Sequence, residues 1–464
     1  MFVFMSLARK ISQNTAIVYS QTLVTLVFGA ASAFLIIRNL ERYQFGLFSL
    51  AMSAVWMIIP WIDFGIGQVV SADVAGLLGL GDLPKVKRLL FGFYKTKLFL
   101  TFFATVGAVF VSYFFPDKFD QHFIFLFRVG SVIILTTSLL SMMLMTFESH
   151  SKFLFNSLAQ IIESVLRFVF VLVLVVIFKM GSDGAMLSYI ASTGLAALIM
   201  LPLFFKMLAS LKGVVASPEP MFKNLIRSHG KFQIFSQPLK SIADNLQIWI
   251  IGWLAGINAV AIYQVAIQIY NYIAMFASAA EGVLMPILSQ ELNRSREMGK
   301  FIIVRMSKYS FWFSSAIMVT AYLFVPWFIT LLFGHKYDAS ILLFYIIFLA
   351  LPLAGLSVPL RPAFFAAKGQ KQLLKIHFLV TIILYPLAAI LTFFLRDING
   401  ALGFAIIFPL AAFLSFILRV IAIRKFFGDL IFQLNVFFIF DKYDRDLMKR
   451  IWGVLKEKFL FFKL

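Results

Sequence analysis

Two six-residue phrases, "FPDKFD" at 115–120 and "FGHKYD" at 333–338, stand 218 positions apart. Each closes one long apolar run and precedes another. Pro116 or Gly334 breaks the helix, and a lysine with an aspartate keeps the turn in water. Set in register at this phrase, further landmarks align. "ERYQFGLFSLA" (41–51) meets "GINAVAIYQVA" (256–266), and "GDLPKVKRLL" (81–90) meets "REMGKFIIVR" (296–305), both at an offset of 215. "DGAML" (183–187) meets "NGALG" (399–403) at 216. Resemblance kept in one order at a near-constant offset marks a duplicated unit. The phrase recurs because it is the same outer turn in both copies.

The apolar runs around it are membrane spans. Of 464 residues, 61% are apolar and 13% charged, too little polar surface for a water-soluble chain of this size. A transmembrane helix needs ~20 mostly apolar residues. Twelve such stretches are read: 12–37, 45–70, 90–115, 121–147, 153–178, 184–206, 231–254, 259–286, 304–333, 338–366, 370–395 and 399–423. The expected fold is an all-α integral membrane protein. A repeat of six spans is even, so both copies cross with the same orientation, as parallel repeats about an axis along the membrane normal. Residues 1–206 and 231–425 are then two six-helix lobes, joined by 207–230. The joining segment holds Pro218 and Pro220, then a short helix with Phe222, Leu225 and Ile226 on one face. A basic tail, 426–464, carries an apolar stripe from Leu447 to Phe459 and is expected to lie on anionic lipid.

A net charge of +20 raises the question of a nucleic-acid partner. Its distribution answers against one. With the N-terminus taken as cytoplasmic, 32 of the 41 Lys and Arg fall in cytoplasmic segments and 6 in outer loops. That is the positive-inside pattern; it puts both termini in the cytoplasm of a cell that carries the protein in its inner or plasma membrane. "MFVFMSLARK" lacks a positive n-region followed by a cleavage site, so no removed signal peptide is expected. The chain has no cysteine, which excludes disulfides, thiolate metal sites and a cysteine nucleophile.

Several of these segments also carry a family likeness. "RNLERYQFGLFSLAMS" (38–53), "DFGIG" (63–67), "GDLPKVKRLL" and "GWLAGINAVAIYQVA" (252–266) resemble polysaccharide flippases of the multidrug/oligosaccharidyl-lipid/polysaccharide superfamily, in its O-antigen branch. "FGHKYDAS" (333–340), "AAKGQKQLL" (366–374) and "INGALGFAI" (398–406) are similar to later landmarks of that family. The resemblance covers about residues 12–425. It implies two six-helix bundles around a polar cavity, alternating access, and a lipid-linked oligosaccharide as cargo. It also implies surface-polysaccharide polymerase machinery as a partner, and H+ or Na+ as a coupling ion. Two departures matter. Where members often carry an acidic then a basic residue before the Gly-x-x-x-Gly of span 7, this chain has Gln247 and Ile248; where many carry an arginine after span 2's Asp-Gly motif, it has Ala72 and Asp73.

Polar residues at helical spacing inside apolar runs mark the candidate site, because charge at the bilayer centre costs roughly 2.5–3.5 kcal/mol and must face the interior. Span 7 has Gln233, Gln237, Lys240, Asp244 and Gln247 on one face. Span 8 has Gln264, Gln268, Asn271 and Ser278; span 1 has Gln21, Thr25 and Ser32. The repeat pairs spans 1 and 2 with 7 and 8, so these four are read as lining one cavity. The competing reading of the amides is interhelical hydrogen bonding that holds the bundle together. Asp63, Asp244 and Glu281 are candidates for ion coupling or gating. Glu163 and Arg167, four apart on span 5, read as an ion pair within one helix. Arg128 and Arg361 could grip a diphosphate bidentately, with interface anchoring as the alternative for Arg361 between Pro359 and Pro362.

Nothing reads as catalysis or as a cofactor site. The five histidines make no ligand spacing, no nucleotide-binding glycine loop occurs, and "DRD" (444–446) reads as solvated charge in a tail. Outer loops of about ten residues or fewer leave no room for a catalytic domain, which disfavours a membrane polymerase. A flippase is the first reading and a multidrug or small-molecule exporter of the same architecture is the second. Five intramembrane carboxylates stand against five cations, so charge alone does not separate them.

Overall fold

Caps and breakers decide where the helices start and stop. The computed structural model describes residues 2–63, 67–114, 120–227, 231–278, 296–367, 369–428, 441 and 444–445, and every regular element among them is helical. Helix α1 (Phe2–Asn39) is followed by α2 (Arg42–Asp63) and α3 (Gly67–Gly79). The single span read at 45–70 is therefore two helices, with Pro60 near the end of the first. Helix α4 (Leu83–Ser112) starts at Asp82, whose carboxylate accepts the Lys85 backbone N–H, with Pro84 in the first turn. Helix α5 (Gln121–Ser149) starts at Asp120, which caps the N–H groups of His122 and Phe123. The aspartate that ends the first quoted phrase is thus a helix cap; 115–119 lie outside the described residues.

Helix α6 (Phe153–Phe170) runs into a π-helical turn over 171–177, α7 spans Gly181–Ala209, and α8 (Met221–Leu225) lies in the joining segment where a short helix was expected. Helix α9 (Lys231–Ala255) stops at Gly256, whose φ of 85° only glycine adopts readily, and α10 (Ile257–Ser278) starts at once. Helix α11 covers Arg296–Phe333. The span read at 338–366 is three pieces, α12 (Ala339–Phe348), α13 (Ala350–Ser357) and α14 (Leu360–Ala366). Pro352 has no N–H for the Phe348 carbonyl and Pro359 none for Gly355, which places both breaks. Helices α15 (Gln370–Asn399) and α16 (Leu402–Phe427) complete the described chain.

Ten helical stretches among the described residues are long and apolar enough to cross a membrane, α12 and α13 together making one of them. The remaining two of the twelve stretches are helical as α9 and α10. Large apolar side chains face outward: Leu23 is 55% exposed, Phe102 61% and Ile382 67%. Water would make that surface costly, and lipid tails would not. Between helices the pattern reverses, with small polar groups inside. Ser131, Ser188 and Ser192 are fully buried, and hydroxyl pairs join α4 to α5 (Thr101–Ser138, 2.6 Å) and α5 to α7 (Thr136–Thr193, 2.7 Å). The chain is a multi-pass membrane protein.

The chain packs as two compact units. The first comprises 1–272, 321–348 and 377–411. Within it α2 packs on α9, Gly46 lies against the start of α10, and Ser241 donates to the Trp56 carbonyl at 2.8 Å. The second quoted phrase does more here than punctuate. Lys336 Nζ donates to the carbonyls of Arg38 (2.8 Å) and Leu40 (2.7 Å) at the end of α1, and the Arg42 guanidinium donates to the Lys336 carbonyl. Tyr337 is buried, with the Phe45 and Phe333 rings 6.3 and 6.1 Å away. Only Asp338 keeps the water-facing role, accepting from His335 and Thr330.

The second unit comprises 273–320, 349–376 and 412–464, with a core around Ile303, Phe364 and Ile423. The sequence reading of Asp444 as solvated is corrected here. Asp444 is fully buried and accepts from Lys308 Nζ (2.5 Å), Arg305 Nη1 (2.6 Å) and the Tyr309 hydroxyl (2.6 Å). Asp441 and Asp444 also cap each other's backbone N–H groups at 3.0 and 3.1 Å. One helical turn of α11 presents all three donors, so partners 135 or more residues away in sequence meet. The amphipathic stripe expected over 447–459 lies outside the described residues.

Candidate functional site

A helix gains one residue of the same face every three or four positions, and α9 uses this to present Gln237, Lys240, Asp244 and Gln247 together. Gln237 and Lys240 are exposed, and the Asp244 side chain is 51% exposed. Helix α15 supplies the partner. His377 Nε2 stands 3.5 Å from Asp244 Oδ1, and one turn and then two turns onward come Thr381 and Tyr385. The Tyr385 hydroxyl donates to the Ala243 carbonyl at 2.9 Å, which holds α15 against α9 at this level. Gln247 accepts from the Tyr263 hydroxyl of α10 at 3.0 Å. A carboxylate beside an imidazole can exchange a proton, and an ammonium one turn away can pair with an anion. His377 is not among the residues the sequence pointed to, because scattered histidines without metal-ligand spacing carry no signal as a group. Its spacing of four from Thr381 and Tyr385, in an otherwise apolar run, was the available signal.

The other amides divide between open and packed positions. Gln264 and Gln268 of α10 are half-buried, and Gln268 Oε1 is a buried acceptor without a hydrogen-bond partner among the described residues. Asn271 is exposed. Gln21 is buried; its amide donates to Gln160 (3.3 Å) and Thr25 (3.5 Å), and Gln160 donates in turn to Asn156 (2.6 Å). That chain of amides joins α1 to α6. Beside it the Glu163–Arg167 pair forms as its spacing predicts, and the Arg167 guanidinium stacks 4.7 Å from the Tyr189 ring centre. The Tyr272 hydroxyl donates to the Gly29 carbonyl at 3.1 Å, bringing α10 onto α1.

Both candidate arginines lie against aromatic rings. Arg128 Nε donates to Ser112 Oγ (2.8 Å) and stacks over Tyr113 at 4.1 Å, at the C-terminal end of α4. Arg361 is exposed, 5.9 Å from the Phe365 ring centre. Of the coupling candidates, Asp63 ends α2, with its side chain outside the described residues, as are the Gln233 and Ser278 side chains and the whole of Glu281.

Residues 11–292 match the polysaccharide biosynthesis protein family. The chain belongs to that family. No protein of curated function matches it by sequence. Its fold is shared with solved transporters. A multidrug resistance MATE family transporter of the MOP superfamily, in an inward-facing conformation, superposes with a TM-score of 0.68 at 16% identity, over 88% of this chain and 95% of the other. The lipid II flippase MurJ, inward closed, gives 0.64 at 13% identity over 96% of each chain. A point mutant of the Vibrio cholerae MATE transporter VcmN gives 0.56 at 17% identity over 93% of this chain and 100% of the other. This family member therefore shares the helical membrane fold of these transporters.

Proposed function

We propose that the protein is a flippase that carries an isoprenoid-diphosphate-linked oligosaccharide from the cytoplasmic to the outer leaflet of the inner or plasma membrane, for surface polysaccharide assembly. The observation that carries this reading is a group of Lys240, Asp244 and His377 held open on membrane helices of a polysaccharide biosynthesis family member. Desolvating the hydroxyls and phosphates of such a head group in hydrocarbon is costly. Amides of α9 and α10 replace lost hydration, Lys240 meets the phosphates, and the isoprenoid stays in the bilayer. The two repeats, 1–206 and 231–425, rock about the site to give alternating access. Cargo is moved without a bond being made or broken, and polymerase machinery takes it up in the outer leaflet. The neighbour named as a lipid II flippase supports a lipid-linked cargo; the neighbour named for multidrug resistance supports drug export instead.

Purified protein in liposomes separates the two. Leaflet-resolved transport of a labelled lipid-linked oligosaccharide is expected, with none of a cationic dye; the reverse result replaces the flippase by an exporter. Asp244→Asn, Lys240→Ala and His377→Ala are each expected to slow transport about tenfold or more, the loss of one charge-assisted contact, at unchanged expression. Unchanged rates remove that residue from the site. H+ or Na+ coupling is assigned to the Asp244–His377 pair, so Asp244→Asn is expected to abolish dependence on a pH or sodium gradient. If Asp63→Asn abolishes it and Asp244→Asn does not, the coupling site belongs to the second span.

A further inference from the structure

A cavity lies away from the α9 group, on the side of the first unit that the charge count makes cytoplasmic. Its floor is the start of α4 and its roof is the joining segment with α8. Gly92 makes the close approach possible: a methyl group there would stand 3.0 Å from Phe222 Cβ, and Phe222 packs edge-on against Phe93 at 6.1 Å. The half-open space between them is about 560 Å³, lined by Lys87, Arg88, Lys95 and Lys223 with Phe91 and Phe222. No carboxylate is among the described residues that line it. Lys87 is placed by the Val214 carbonyl (2.8 Å) and the Phe91 ring (5.9 Å). Arg88, Lys95 and Lys223 are exposed and make no hydrogen bond or ion pair with the described residues. The nearest acid in sequence, Glu219 beside Pro220, is exposed and is not among the lining residues, and Asp82 is occupied by Lys85 at 3.3 Å. Four like charges converging in this way raise the local positive potential and call for an anion.

The same face of α4 says what kind of anion. Starting from Phe91 in the cavity, Leu98, Phe102, Val106 and Phe110 follow at helical spacing, and all are exposed along the membrane-spanning length. A phosphate held by the four cations would therefore sit at the head of an apolar track, which fits an amphiphile and leaves a free phosphate with half the surface unused. We propose that this cavity binds the phosphate head group of an anionic phospholipid of the cytoplasmic leaflet, with an acyl chain along α4. The ligand would fasten the joining segment to the first helices at a place no transported head group needs to reach. The inference does not depend on which cargo the protein carries.

Native mass spectrometry of the full chain, released from membrane-mimetic detergent, tests it. With equal phosphatidylglycerol and phosphatidylcholine supplied, one phosphatidylglycerol is expected to be retained in preference. Each charge removed is expected to weaken retention about fivefold, so Arg88→Gln with Lys95→Gln and Lys223→Gln weakens it by about a hundredfold. All three side chains are exposed, so folding is not at stake; the singles Lys95→Gln and Lys223→Gln should show the graded loss. Lys371→Gln with Lys375→Gln, exposed cations outside the cavity, should change nothing. A dihexanoyl phosphatidylglycerol should bind more weakly than the long-chain lipid. The proposal is overturned by equal retention of the two lipids, by unaltered retention in the triple variant, or by displacement with millimolar inorganic phosphate. It is also overturned if only a polyprenyl diphosphate is retained.

Discussion

Asp444→Ala is expected to destabilise the protein by about 3–5 kcal/mol, the usual cost of removing one partner from a buried ion pair. The Lys308 ammonium has no exposed surface, and its contact with Asp444 is 2.5 Å. Without the carboxylate, Lys308 is an uncompensated buried charge, the Arg305 and Tyr309 donors lose an acceptor, and the Asp441–Asp444 turn loses one of its two caps. Thermal melting in detergent is the measurement. The double change Lys308→Met with Asp444→Leu replaces the pair by apolar groups and is expected to recover most of the loss. A single variant that melts like the parent, or a double no better than the single, removes the clamp from the account. Acid should act in the same direction. Burial works to raise the Asp444 carboxyl, but hydrogen bonds from Lys308 and Tyr309 and the nearby Arg305 outweigh it and hold the group well below the usual carboxylate range. A depressed carboxyl contributes stability above its unfolded value, about 3.9, and loses it only as the pH falls through the lower folded value. The clamp is therefore intact across neutral pH.

Gly46→Val is expected to open the outer side. An added Cβ would stand 2.3 Å from the Ile257 carbonyl oxygen and 2.6 Å from Ile257 Cγ2, and a backbone carbonyl cannot swing aside as a side-chain tip can. Helix α2 and the start of α10 must separate, at a cost of about 1–3 kcal/mol for overpacking. That shifts an open–closed equilibrium by about five- to 150-fold. The strain falls where Lys336 and Arg42 tie α1 to the outer turn, so the clasp loosens with it. Because the chain has no cysteine, a single Leu50→Cys can report. Leu50 is buried beside Gly252. Its labelling by a membrane-impermeant maleimide should be slow in the parent and at least about tenfold faster with Gly46→Val, with transport reduced to match. Equal labelling would show that this close approach does not hold the outer side shut.

Much of the fold was legible because lipid imposes simple demands. Apolar runs of spanning length gave the helices, although α1, α4 and α11 begin 7 to 10 residues ahead of the runs read from 12, 90 and 304, because charged residues precede those runs. Glu163 and Arg167 were readable because a pair four apart is decided by one helix. The candidate site was half legible. The α9 stripe followed from periodicity, while its partner His377 lies on α15, 133 positions from Asp244, and nothing in the spacing of the histidines pointed to it.

Sequence by itself determined what must be local or repetitive: a helical membrane chain, the side its cations favour, and a polar face on α9. Those properties depend on one residue's solvent preference or on neighbours within a turn. Only tertiary structure decided which polar groups meet. It carried Asp444 from an apparently solvated tail to Lys308, turned Lys336 from a wet turn residue into a cap on α1, and gathered Lys87, Lys95 and Lys223 around one cavity. Long-range pairing of charges has no period to read; it is set by which helices touch and at what depth, and that is known only once the bundle is packed.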